Sequence, residues 1–280
     1  MACNAVVMAD MRNAARRILE MLRATARGRL VVRVAYAVVE INVVDRAMTL
    51  SAQAFTSLVP VMMAIGTLGA MDSVAETLES DYGLDLRDMN GAPTSSAAAF
   101  GAVGVLMLVV SATSFARALG RIYGHIWSHP VVAYRQGWRW ILVVIVLSIG
   151  AAAVGAARSL ADVPSVGPVL VYSSQFALWF VVWTAVPTLL VRRGIPFRAR
   201  WSTGVLTAAG LTALQMGSVI VLPRVMNSAE QQFGYLGMMF TLIGWLFVYM
   251  AIVVIAAVVV RSSTRQDSAV VGCWPPDTQP

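Results

Sequence analysis

Residues Asp45–Met62 read DRAMTLSAQAFTSLVPVM. The stretch opens on a charge pair and turns apolar, yet it keeps Thr49, Ser51, Gln53, Thr56, Ser57 and Pro60. Thr49, Gln53, Thr56 and Pro60 fall at i, i+4, i+7 and i+11, one face of a helix, with Ser57 beside them. Phe55, Leu58, Met62 and Ile65 take the other side. The pattern predicts a helix with a single polar stripe. The chain around it decides whether that helix sits in water or in lipid.

The 280 residues are 58% hydrophobic and 12% charged, about half the charge of an ordinary soluble domain. Mean hydropathy is +0.72. Six segments come near the roughly 20 apolar residues that cross a bilayer: about 48–71, 97–116, 138–157, 169–191, 203–222 and 235–260. None carries a charged side chain in its interior. The expectation is an all-α integral membrane protein, a six-helix transmembrane bundle with interfacial N-terminal helices. Its parts are a basic amphipathic region over 1–47, the bundle over 48–261, and a disordered cytoplasmic tail over 262–280.

Orientation follows from arginine, which supplies all 21 basic residues. Alternating the six spans places 18 of the 21 on one side and only Arg87, Arg158 and Arg224 on the other. By the positive-inside rule the first side is cytoplasmic, and both termini lie there. Trp127, Tyr134, Trp138, Trp140 and Trp201 fall near that same interface, where amphipathic rings settle.

Outside the spans, Met11, Ala15, Ile18 and Leu22 oppose Arg12, Arg16, Arg23 and Arg27. This predicts a helix lying on an anionic leaflet, so the net charge of +7 requires no nucleic acid. Residues 31–44 carry Arg33, Glu40 and Asn42 and read as a second interfacial helix. The long outer loop is acidic, with Val74, Leu78 and Tyr82 on one side of a possible short helix. Its carboxylates do not follow the EF-hand spacing. Cys3 and Cys273 lie in opposite tails and form neither a C-x-x-C pair nor a zinc set.

Little in the chain looks catalytic. Metal-dependent phosphodiester cleavage wants clustered carboxylates or histidines. Here there are two histidines, and the largest group of carboxylates, Asp72, Glu76, Glu79, Asp81, Asp85 and Asp88, falls in the outer loop. His125 and His129 have helical metal spacing but no third ligand nearby, and they continue a stripe begun by Arg117 and Arg121. The expectation is no enzyme, no metal and no cofactor. Arg117 and Arg121, where the second span ends near Phe115, join Arg192, Arg193, Arg198 and Arg200 of the fourth loop as candidates to bind a lipid phosphate through their forked donors. Gly204, Ala208 and Thr212, with Gln215 one turn on, read as a close-packing stripe.

Several stretches resemble one family. The end of DRAMTLSAQAFTSLVPVM, with Ser57, Leu58 and Pro60, is similar to the first-helix signature of the YihY/BrkB family of bacterial inner-membrane proteins. SFARALGRIYGHIW (Ser114–Trp127), RRGIPFRARWSTG in the fourth loop and FGYLGMMFTLIGWLFVY (Phe233–Tyr249) resemble further family segments. The likeness spans roughly residues 30–260. It departs at VIAAVVVRSS, where members often carry Gly-Ala-Glu. The resemblance implies a six-helix, multi-pass inner-membrane protein linked to envelope integrity and export of lipid-like molecules. A former ribonuclease label for the family is regarded as mistaken. Two function classes stay open: a transporter or export accessory for a lipid or lipid-linked envelope molecule, and a non-transporting scaffold. Expected partners are membrane lipids, anionic ones foremost, with a homo-oligomer or envelope proteins also compatible.

Overall fold

The structure is a computed structural model. It describes residues 26–58, 60–61, 97–128, 137–157, 167–191 and 195–271. These form seven helices: α1 Ala26–Glu40, α2 Val43–Thr56, α3 Ala97–Trp127, α4 Trp138–Ala156, α5 Gly167–Leu190, α6 Phe197–Phe233 and α7 Tyr235–Val271. Five stretches within α3 to α7 are long and apolar enough to cross a membrane: Val103–Trp127, Trp138–Ala156, Gly167–Leu190, Phe197–Phe233 and Tyr235–Thr264. The first of the six expected spans, 48–71, is described only as far as Val61.

Much of the outside of the bundle is apolar. Val103, Leu106, Met107 and Val110 on α3 are exposed, as are Met216, Val219 and Ile220 on α6. A soluble monomer rarely leaves such contiguous apolar faces to water. Lipid accepts them, so the fold is that of a polytopic membrane protein.

The bundle is organised around α7. It packs against α6, α2, α1 and α3, while α5 is held between α4 and α6. Val253, Val254, Ala256, Ala257 and Val258 are buried. Their short side chains let neighbouring backbones approach, which is how helices gain packing energy where lipid removes the hydrophobic drive. Trp183, Tyr123, Leu119 and Leu50 fill the same core from α5, α3 and α2. Trp179 meets Tyr249 edge to face at 5.9 Å.

Helix boundaries correct several expectations. The reading of 31–44 as one interfacial helix gives way to a break: α1 ends at Glu40 and α2 starts at Val43. Asn42 makes that break with φ 51° and ψ 55°, a left-handed conformation that asparagine tolerates better than most residues. Arg46 Nε donates to the Ile41 carbonyl at 2.6 Å and fastens the elbow. α3 continues past the expected 97–116 span to Trp127, as the helical stripe from Arg117 to His125 expects. The cause is a buried stripe, Ala116, Leu119, Ile122, Tyr123 and Ile126, that carries on while the arginines occupy the other side. α6 exceeds 203–222 at both ends, and α7 runs to Val271, so the tail expected to be disordered from Ser262 begins as helix. The N-terminal amphipathic segment up to residue 25, the acidic outer loop, His129 and residues 272–280 lie outside the described residues.

Arg261 donates to Ser128 Oγ at 2.7 Å. The C-terminal end of α3 and the Arg261 end of the apolar stretch of α7 therefore share one end of the bundle.

Gly204 shows why the fifth expected span carries small residues. A Cβ there would overlap Thr184 Oγ1 and crowd the Phe180 carbonyl on α5. At Gly217, on the same helix, a Cβ meets nothing within 4 Å. Gly204→Val should therefore destabilise the protein by about 1–3 kcal/mol through overpacking, lowering the unfolding midpoint in detergent by several degrees. Gly217→Ala should leave the midpoint unchanged or slightly raised. Equal melting curves for the two variants would show that α5 and α6 do not touch at Gly204.

Candidate functional site

The polar stripe of α2 faces α3. Ser57 Oγ donates to the Gln53 carbonyl at 2.8 Å. Its single proton is then committed, so Ser111 on α3 is the donor in the 2.5 Å contact between the two hydroxyls. This bond ties the two helices. Thr56 Oγ1 donates to the same Gln53 carbonyl at 3.0 Å. Pro60 has no N–H to return to the Thr56 carbonyl one turn back, which exposes an acceptor at this level.

Beside the Ser57–Ser111 bond lies a groove of about 480 Å³ lined by Gln53, Thr56, Pro60, Leu106, Met107, Val110, Ser111 and Ser114. That volume falls in the range of roughly 300–1,000 Å³ typical of ligand sites. One wall is neutral and hydrogen-bonding: an amide and three hydroxyls. The other is Leu106, Met107 and Val110, which are exposed on the bundle's flank. The groove thus opens sideways, toward the surface that lipid covers. None of the described residues lining it is charged.

Gln53 Oε1 is buried and has no hydrogen-bond partner among the described residues. An unmade bond of this kind costs about 1–3 kcal/mol, and hydrocarbon offers no substitute. A ligand or water in the groove would remove that penalty.

Of the residues read as the α2 stripe, Gln53, Thr56 and Pro60 line the groove and Ser57 anchors it. Thr49 does not; it is exposed and bonds back to the Asp45 carbonyl at 2.9 Å. The sequence reading missed Ser111 and Ser114. Their run, VVSATSFA, holds three hydroxyls, Ser111, Thr113 and Ser114, and nothing in it tells which of them face α2.

The expected phosphate ligands separate into two groups. Arg117 is half-buried, with Nε donating to the Thr113 carbonyl at 3.3 Å and its guanidinium 5.7 Å from the Trp140 ring centre. Arg121 is exposed. Arg198 is exposed at the start of α6, and Arg200 lies 5.7 Å from the Phe197 ring centre. Arg192 and Arg193 lie outside the described residues. α3 and α6 are not a closely packed pair, so direct helix packing does not assemble the α3 arginines and those of α6 into one site.

A second polar set is enclosed in the helices. Gln175 Oε1, Thr184 Oγ1, Thr207 Oγ1 and Thr212 Oγ1 are buried without partners among the described residues.

No family model matches this chain, and neither a curated protein nor a solved structure matches it.

The inter-helix bond makes the groove's geometry testable. With Cys3 and Cys273 replaced by serine, Ser57→Cys with Ser111→Cys should form a disulfide under mild oxidation, since the two Oγ atoms touch and S–S bonding needs only about 2 Å between sulfurs. Thr49→Cys with Ser111→Cys should stay reduced, because Thr49 lies two turns from Ser57. Crosslinking in the second pair and not the first, read by peptide mass, would mean that α2 and α3 meet in a different register.

Proposed function

We propose that the chain is a six-span bacterial inner-membrane protein of the YihY/BrkB type, both termini cytoplasmic, that transports or helps export a lipid or lipid-linked envelope molecule. The observation that carries this reading is the unpartnered Gln53 Oε1 in a groove open to the lipid flank. A scaffold has no use for an unsatisfied amide in hydrocarbon. A carrier does, because an empty site that is slightly unfavourable becomes favourable when filled.

The chemistry narrows the cargo. A neutral hydrogen-bonding wall facing an apolar one suits an amphiphile better than a bare ion. The described lining offers no carboxylate to take up and release a proton, whereas proton-coupled transporters keep ionisable groups within the membrane. The reading therefore places the driving force elsewhere than in a protonating residue of this groove. The motif resemblance adds the six-span count, the inner-membrane location and the link to envelope lipids.

Water access separates carrier from scaffold. Single cysteines at Gln53, Thr56 and Ser114, in a background lacking Cys3 and Cys273, should react with a membrane-impermeant thiol reagent in inverted vesicles. A cysteine at Met216, on the lipid-facing side of α6, should not. If the three groove positions are as inert as Met216, the groove is sealed and the scaffold reading replaces this one.

A further inference from the structure

One face of α3 carries a graded chemistry that runs past the groove. Met107, Ser114 and Arg121 recur every seven residues, as do Val110 and Arg117. Seven residues are close to two helical turns, so all five share one side. Read from the end of the bundle that holds Ser128 and Arg261, this side is cationic at Arg121 and Arg117. It is hydroxylic at Ser114 and Ser111, and apolar at Val110, Met107 and Leu106. Gln53 and Thr56 of α2 face its hydroxylic part.

We propose that this track binds one anionic glycerophospholipid of the inner leaflet. Its phosphate sits at Arg121 and Arg117, its glycerol and ester groups at Gln53, Ser111 and Ser114, and its acyl chains along Val110, Met107 and Leu106. The proposal deepens the carrier reading and rests on it, since it uses the same groove and the same orientation. It drops the fourth-loop arginines from the phosphate site.

Three observations support it. The order of charge, hydrogen-bonding groups and hydrocarbon along α3 is the order found along such a lipid. From Ser114 to Arg121 is about 10 Å of helix, a distance that a phosphate headgroup and its ester linkages bridge. The depth also agrees. With α2 rising from the inner face and α3 descending to it, the Ser57–Ser111 bond sets their register and places Arg121 level with Ala47, beside the interfacial pair Asp45 and Arg46.

The two arginines differ in preparation. Arg117 is held by the Thr113 carbonyl and by the Trp140 ring, so little side-chain freedom remains to be lost on binding. Arg121 is exposed and no hydrogen bond or ion pair occupies it among the described residues, so its fork is free to take phosphate oxygens. Gln53 supplies an amide N–H for an ester carbonyl, and its Oε1 accepts from a headgroup hydroxyl or from water that enters with the lipid.

Two photoactivatable probes that differ only in the phosphate provide the test: phosphatidic acid and diacylglycerol, each with a diazirine high on one acyl chain. The full-length protein is reconstituted in neutral-lipid nanodiscs at low ionic strength, and labelled peptides are identified by mass spectrometry. Phosphatidic acid should label the segment 106–114 at least fivefold more than diacylglycerol, on the scale of roughly fivefold for each arginine near the headgroups. Arg117→Gln with Arg121→Gln should bring the ratio close to one without reducing diacylglycerol labelling. The corresponding lysine pair should restore only part of the preference, because the charge returns without the fork. Gln53→Met, which keeps the side-chain length, should reduce labelling by both probes. A monodisperse elution profile for each variant confirms folding. Equal labelling of the wild-type groove by the two probes overturns the phosphate assignment and leaves the carrier reading standing. Absence of labelling by either probe overturns both.

Discussion

Hydrocarbon leaves a hydroxyl on a membrane helix little choice: it must find an acceptor inside the protein. Most of the described serines and threonines take the nearest one, a carbonyl three or four residues back. Thr113 bonds to Val110, Thr188 to Ala185, Thr203 to Ala199 and Ser262 to Val258. This local solution makes each helix self-sufficient and lets helices of mixed composition lie in lipid. The exceptions then carry information. Ser111 reaches across to Ser57 and joins two helices, while the Gln53 carboxamide is too long to be satisfied by its own turn and stands open to whatever occupies the groove.

The packing around α7 explains why that groove persists. Valine and alanine in its buried stretch allow α2, α3 and α6 to come close, and shape complementarity there holds the bundle. α2 is fixed to α7 along one side, which leaves its polar face turned toward α3. Pro60 and the Ser57–Ser111 bond join the two helices at the level of the groove. Beyond it Leu106, Met107 and Val110 splay toward lipid. The opening is thus a product of the same packing that makes the core.

Long apolar runs were legible in the sequence because a span is a property of composition and length. Five of the six expected segments coincide with helices of the structure, and α4 does so almost residue for residue at Trp138–Ala156. Ends were less legible. α6 runs from Phe197 to Phe233, well past the apolar 203–222 that marked it, whereas the two sides of α3, arginines on one and Leu119, Ile122 and Ile126 buried on another, could be read from spacing. The elbow at Asn42 depends on a backbone conformation that composition does not encode. Of the candidate site, the α2 half was visible as a period of three and four residues. Ser111 and Ser114 were not, since pairing between distant segments needs the register of two helices, which one sequence does not state.

The central claim is that the space between α2 and α3 is a lipid site and not a packing defect. The most direct measurement is an electron cryomicroscopy map of the full-length protein in nanodiscs containing anionic phospholipid. The account predicts elongated density along α3 from Arg121 past Ser114 to Met107, continuous with the bilayer, with Gln53 in contact with it. A closed α2–α3 seam, with Gln53 bonded to a neighbouring helix and no density between, would contradict it.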